Sequence, residues 1–161
     1  MKIAGLDIGT TGCKLTVFDE SGEYLGKAYR EYAVRRDMSG HEIDAAAVMD
    51  SGYAVIREMA EQYKDIAGIG VTSFGETFVM TDNADHPLHP AMLYTDPRGA
   101  EECAELSRKL GEERITRITG VKPSEMYSIP KIMWIKRHRP EVYAAATHIF
   151  LIEDFAVRRL T

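Results

Sequence analysis

Asp7-Ile8-Gly9-Thr10-Thr11-Gly12-Cys13-Lys14 puts a carboxylate, two glycines, two threonines and a lysine into one short stretch. Glycines let a backbone approach a ligand closely and turn several N–H groups toward one point, which is how a turn binds an anion. The threonine hydroxyls add donors. Asp7 is placed to hold Mg²⁺, directly or through water, and Lys14 can offset phosphate charge. The set suits a nucleotide phosphate. An ordinary hairpin whose Asp and Thr side chains cap the turn has the same composition and stands as the alternative. The stretch is not a Walker A loop, because GxxxxGK[ST] is absent. His86 and His89, three apart, lie in a proline turn and read as solvated rather than as metal ligands.

The elements that must position this turn follow from local pattern. Lys2–Asp7 reads as a buried strand and Lys14–Asp19 as a second, with Leu15 and Val17 on one face and Thr16 and Phe18 on the other. Tyr24–Val34 reads as a third, with Tyr24, Ala28 and Tyr32 on one face. Three strands joined by short glycine turns make an antiparallel meander. A polar stretch, Arg35–Glu42, follows. Asp44 is a good N-cap for a helix of about twenty residues, on which Tyr53, Ile56, Ala60 and Tyr63 mark one face. Ile66–Thr72 is a β-branched strand, parallel to its neighbour because a helix crosses over to reach it. Thr77–Thr81 is a further strand ending in a turn-rich stretch. Pro97 sits in the first turn of a helix running to about Leu110, and another helix follows Glu112. Gly120 to Pro130 reads as loop, Lys131–Arg139 as a helix, Pro140 as the start of the next, Thr147–Ile152 as a strand and Asp154–Thr161 as a last helix. The order β-β-β-α-β, then mixed α and β, predicts an α/β fold with a ribonuclease-H-like opening. Fold alone does not name a chemistry.

Composition narrows the classes. The 161 residues suffice for a domain with a real core. With 25 acidic and 20 basic residues the net charge is −5, which argues against nucleic acid as a partner. Cys13 and Cys103 stand far apart, without CxxC or a Cys/His cluster at zinc spacing. The apolar run near Ala144–Ile152 is too short to span a bilayer, and no secretory leader precedes the first strand. A cytoplasmic protein that uses neither a membrane nor nucleic acid is the expectation.

Asp7-Ile8-Gly9-Thr10-Thr11 resembles the N-terminal phosphate motif of the FGGY carbohydrate kinases, which share a superfamily with actin, hexokinase and the Hsp70 chaperones. That family often has Ser where Gly12 stands and keeps a basic residue at the position of Lys14. Gly68–Thr77 resembles the strand and turn that bring sugar-contacting residues to the family's cleft. Glycerol kinases carry Arg-Glu-Thr there and this chain has Gly75-Glu76-Thr77. The Gln-Met-His-Gly of xylulokinases is absent. Pro90–Arg98 resembles the family's Trp-x-Asp-x-Arg segment, with Tyr94 in place of Trp. Later matches, among them Thr119-Gly120, Lys131–Trp134, Pro140–Tyr143 and Leu160-Thr161, follow in order and read as structural. Trp134 reads as core, and Tyr127 falls within about a residue of a family position that touches substrate.

The resemblance implies an ATP-dependent kinase of a sugar or polyol hydroxyl, using Mg²⁺. Asp7 would hold the metal. Gly9, Thr10, Thr11 and Gly12 would lie beneath the phosphates, and Lys14, as the catalytic cation, would stabilise transferred charge. Glu76 and Thr77, with Tyr94, Asp96 and Arg98, would form the sugar side. A carboxylate suits a polyol because it accepts from two adjacent hydroxyls, and a tyrosine ring can cover a sugar face. The alternatives are a solvated loop Glu76 and an Asp96 that caps the next helix or holds its loop. Family members are roughly three times longer and carry their catalytic Asp and adenosine site further on. The expectation is thus an incomplete N-terminal kinase domain over residues 1–161, inactive alone and prone to self-association as a homodimer through bared core surface. A non-catalytic sugar-binding or assembly domain and an actin- or Hsp70-type ATPase are the rivals.

Overall fold

The computed structural model describes all 161 residues, which fall into two compact units. The first comprises Met1–Val34, Asp44–Phe74 and Ile152–Thr161. Its sheet contains β1 (Lys2–Ile8), β2 (Gly12–Asp19), β3 (Tyr24–Glu31) and β6 (Ile66–Ser73), in the order β3-β2-β1-β6. The first three are antiparallel neighbours, and β6 runs parallel to β1. This is the α/β mixed sheet expected from the sequence. The alternation of β1 and β2 gives the sheet its two faces: Ala4, Leu6, Ile8, Cys13, Leu15 and Val17 are buried. Helix α1 (Ala45–Gln62) packs on β2 and β3, and helix α6 (Ile152–Leu160) packs on β6. The Asp44 side chain accepts from the Ala46 N–H at 2.8 Å, the cap that the sequence calls for.

Two readings in this unit need correction. The buried stripe of α1 is Val48, Met49, Gly52, Val55 and Met59, not Tyr53, Ile56, Ala60 and Tyr63. Ile56 and Ala60 lie beside Leu15 and β6 at the margin of the same packing face, and the Tyr63 hydroxyl donates to the Leu25 carbonyl at 2.8 Å. Tyr24 is 54% exposed although Ala28 is buried, because a register shift between Val17 and Phe18 breaks the alternation of β3.

The second unit comprises Arg35–Ile43 and Gly75–Leu151. The polar stretch Arg35–Glu42 forms part of a hairpin, β4 (Val34–Asp37) and β5 (Gly40–Ile43), so the third strand stops at Glu31. Strand β8 (Ala91–Met92) extends it from β5, while β7 (Phe78–Thr81) pairs antiparallel with β9 (His148–Leu151). Helix α2 (Ala100–Leu110) starts after Gly99, whose φ of 102 breaks the helix, rather than at Pro97, and a Cβ at Gly99 would meet the Pro130 main chain at 3.1 Å. Helices α3 (Glu112–Thr119), α4 (Ser128–His138) and α5 (Pro140–Ala145) complete the unit. The first turn of α4 takes Ser128 to Pro130 out of the expected loop. Phe78, Met80, Met92 and Ile135 form the core, with Trp134 packed against it. No helix is long and apolar enough to cross a membrane.

Candidate functional site

In the first unit the register aligns a polar row. Asp7 stands opposite Lys14 across β1–β2, Lys14 opposite Tyr29 across β2–β3, and Asp7 opposite Thr72 across the parallel pair. Directly opposed residues share a sheet face, here the face away from α1. Lys14 Nζ donates to Asp7 Oδ2 at 3.1 Å with both side chains nearly half exposed, 44% and 47%. Such a pair holds weakly and opens readily for a ligand.

The turn between Asp7 and Lys14 is closed by the Gly9 N–H donating to the Gly12 carbonyl at 2.9 Å. Tyr32 braces it: its hydroxyl donates to the Gly9 carbonyl and its N–H to the Thr11 carbonyl. Burial pushes the Tyr32 phenol far above its ordinary range, so it remains a neutral donor. Gly12 has no room for a side chain, because a Cβ would lie 2.5 Å from the Arg30 carbonyl oxygen. Cys13 faces the core, and burial raises its thiol to about 11, so it is no nucleophile. The donor set is one hard carboxylate, two hydroxyls and an ammonium. No cluster of three or more His, Cys, Asp or Glu could cage a metal. The single hard carboxylate of this donor set suits Mg²⁺ held together with phosphate oxygens and water, the usual manner of this ion.

In the second unit Glu76 lies in the left-handed region at φ 68, an uncommon conformation for a non-glycine residue. Ser128, at the start of α4, holds it there. Its hydroxyl donates to the Glu76 carbonyl at 2.8 Å, and its Oγ and N–H lie 3.3 and 3.4 Å from Oε2. Oε1 has no protein partner, and so the carboxylate keeps accepting capacity. Glu76, Ser128 and Tyr127 line a cavity of about 400 Å³ whose other walls include Leu106, Ile115 and Val121. Tyr94 is 40% exposed, its ring available to a ligand. Thr77 is fully buried with an unpaired Oγ1. This hydroxyl reaches no solvent-facing site.

Asp96 and Arg98 are committed to each other. Asp96 is 1% exposed; Oδ1 accepts from the Arg98 N–H and Nε, Oδ2 from Arg98 Nη2 and the His41 N–H. Arg98 also donates to Glu42 Oε1 at 2.6 Å and stacks over Trp134 at 4.8 Å. Burial alone would raise the Asp96 carboxyl, but these donors outweigh it and hold it below its usual value. Lys131, fully buried, donates to the carbonyls of Asp96, Arg98 and Glu125, and burial lowers its pKa. These bonds support the loop-holding reading of Asp96 and Arg98 over direct sugar contact. The sequence alone assigns no site role to Ser128, Tyr32, Tyr29 or Lys131. A hydroxyl just ahead of a helix pattern was the one available signal, at Ser128.

Residues 2–161 match the N-terminal domain of the FGGY family of carbohydrate kinases. The chain belongs to that family. It is 27% identical over 162 residues to a xylulose kinase of Staphylococcus xylosus, covering 99% of this chain and 34% of the relative. It is 32% identical over 142 residues to a glycerol kinase of Methylobacterium radiotolerans, covering 84% and 28%. The crystal structure of Plasmodium falciparum glycerol kinase with ADP matches with a TM-score of 0.91 and 25% identity, over 99% of this chain and 34% of that one. The chain thus spans about a third of the length of these FGGY relatives.

Proposed function

We propose that this chain is the N-terminal portion of an ATP-dependent carbohydrate kinase that phosphorylates a hydroxyl of a sugar or polyol. The observation that carries the proposal is the half-exposed Asp7–Lys14 pair beside a braced glycine turn, within a chain of the FGGY family. The relatives named for xylulose and glycerol, and the one crystallised with ADP, support substrate class and nucleotide. Bound Mg²⁺ would neutralise phosphate charge and help align the transferred group.

Asp7 would hold the ion. The main chain from Gly9 to Gly12 and the hydroxyls of Thr10 and Thr11 would cradle phosphate oxygens, and Lys14 would swing from Asp7 to the transferred phosphoryl group. Glu76, held by Ser128, would orient a substrate hydroxyl through its unpaired Oε1, with Tyr94 and Tyr127 as apolar surface. Asp96, Arg98 and Lys131 fix the loop that carries Tyr94. The base that takes the hydroxyl proton and the adenosine site are assigned to a part of the protein outside these 161 residues. Positioning and charge neutralisation supply the catalysis.

The test uses the full natural product of the gene that contains this chain, assayed for ADP release with D-xylulose and with glycerol. Asp7→Ala should abolish turnover and leave sugar binding intact. Sugar-independent ATP hydrolysis, or turnover that survives Asp7→Ala, would refute the assignment.

A further inference from the structure

No side chain fits at Gly12, and a phenol from the neighbouring strand occupies the space beside it. Tyr29 sits on β3 opposite Lys14, and its ring runs back along β2 toward the turn. A Cβ built at Gly12 would stand 2.6 Å from Tyr29 Oη and 2.7 Å from Cζ. The Arg30 carbonyl, at 2.5 Å, closes the same space from the backbone side, so position 12 stays bare whatever residue occupies position 29. Tyr29 Oη lies 3.4 Å from Thr11 Oγ1, near the long limit of a hydrogen bond. The side chain is 43% exposed.

The contrast with Tyr32 is instructive. That hydroxyl is committed to the Gly9 carbonyl and holds the turn's shape. The Tyr29 hydroxyl makes one long contact with another hydroxyl in which either oxygen can donate, so its O–H is available to a ligand when Thr11 is the donor. It stands between Thr11 and Lys14, over the segment whose N–H groups and cation would meet an anion.

We propose that Tyr29 is a phosphate-binding residue of this chain, its Oη donating to an oxygen of the phosphoryl group that the Gly9–Gly12 turn cradles. It adds a neutral donor to the site where position 12 cannot. The ligand class is a polyphosphate with its magnesium ion, the anionic part of a nucleoside triphosphate. This inference rests on reading the turn as a phosphate site, and the experiment separates the two claims.

Magnesium tripolyphosphate is titrated calorimetrically into the full natural product of the gene that contains this chain, as wild type, Tyr29→Phe and Lys14→Met, with thermal unfolding of each recorded. Tyr29→Phe keeps the ring over Gly12, so its melting temperature should not move. Its affinity should fall about tenfold, the weight of one hydrogen bond to a charged group. In wild type labelled at the tyrosine ζ-carbons, the Tyr29 resonance should shift on adding the probe. Wild-type affinity in Tyr29→Phe, with binding lost in Lys14→Met, would overturn the role of Tyr29 and leave the phosphate site standing. Failure of the wild type to bind, or equal binding by Lys14→Met, would overturn both.

Discussion

The charged groups of the first unit and those of the second are built differently. Asp7 and Lys14 stand nearly half in solvent and share one bond. Asp96, Glu42, Arg98 and Lys131 are largely withdrawn from solvent, and both Asp96 oxygens and the Lys131 ammonium are saturated by protein donors and acceptors. Each pattern follows from the cost of burying charge. A buried ion is tolerable only when fully paired, and one so paired has nothing left to offer a ligand. A half-exposed pair gains little from itself and can exchange its partner. Chemistry-bearing residue types therefore divide into those that hold shape and those that face a substrate, and the division is read from spare hydrogen-bonding capacity. Glu76 falls between the two: one oxygen serves the fold through Ser128 and the other remains open.

The largest expected effect lies in the saturated cluster. Asp96→Asn leaves Glu42 as the one carboxylate on Arg98 and sets an amide NH2 against the N–H donors that met Oδ2, so it should cost about 3 kcal/mol in chemical denaturation. The Asp96 carboxyl is held below its ordinary value in the folded state. Its contribution is therefore full above the unfolded-state value, near 3.8, and is lost as pH falls through the depressed folded-state value. The stability gap between wild type and Asp96→Asn should be constant near neutrality and shrink below about pH 4. A gap independent of pH would show that the cost is steric rather than electrostatic.

A smaller effect of opposite sign is expected at Glu76. Glycine adopts positive φ without strain, so Glu76→Gly should stabilise the chain by up to about 1 kcal/mol while abolishing sugar binding. If it destabilises instead, the Ser128 contacts outweigh the backbone strain and Glu76 belongs with the shape-holding group.

Much of the first unit was legible in the sequence because its signals are local. Alternation in β1 and β2, the Asp44 cap and the glycine turn each depend on residues within a few positions. The second unit was less so. Hairpin β4–β5 escaped because Val34 to Met38 are mostly exposed and polar, while its anchor, Glu42, meets Arg98 across 56 positions. Gly40 has the same long-range cause, since a Cβ there would meet the Arg98 guanidinium at 2.5 Å. Lys131 looks like an exposed helix lysine until three carbonyls converge on it. Among the site residues, the Asp7–Lys14 pairing was implicit in the hairpin register. The commitment of Asp96 and Arg98 to each other, and the reach of Tyr29 over Gly12, required the packed structure.

The most direct test of the account is Lys14→Met, read simultaneously for thermal stability and for magnesium tripolyphosphate binding. An exposed pair contributes little to folding, so the change in stability should stay within about 0.5 kcal/mol while binding is lost. Unaltered binding, or a loss of stability as large as that of Asp96→Asn, would place Lys14 among the shape-holding residues and contradict a phosphate site at this turn.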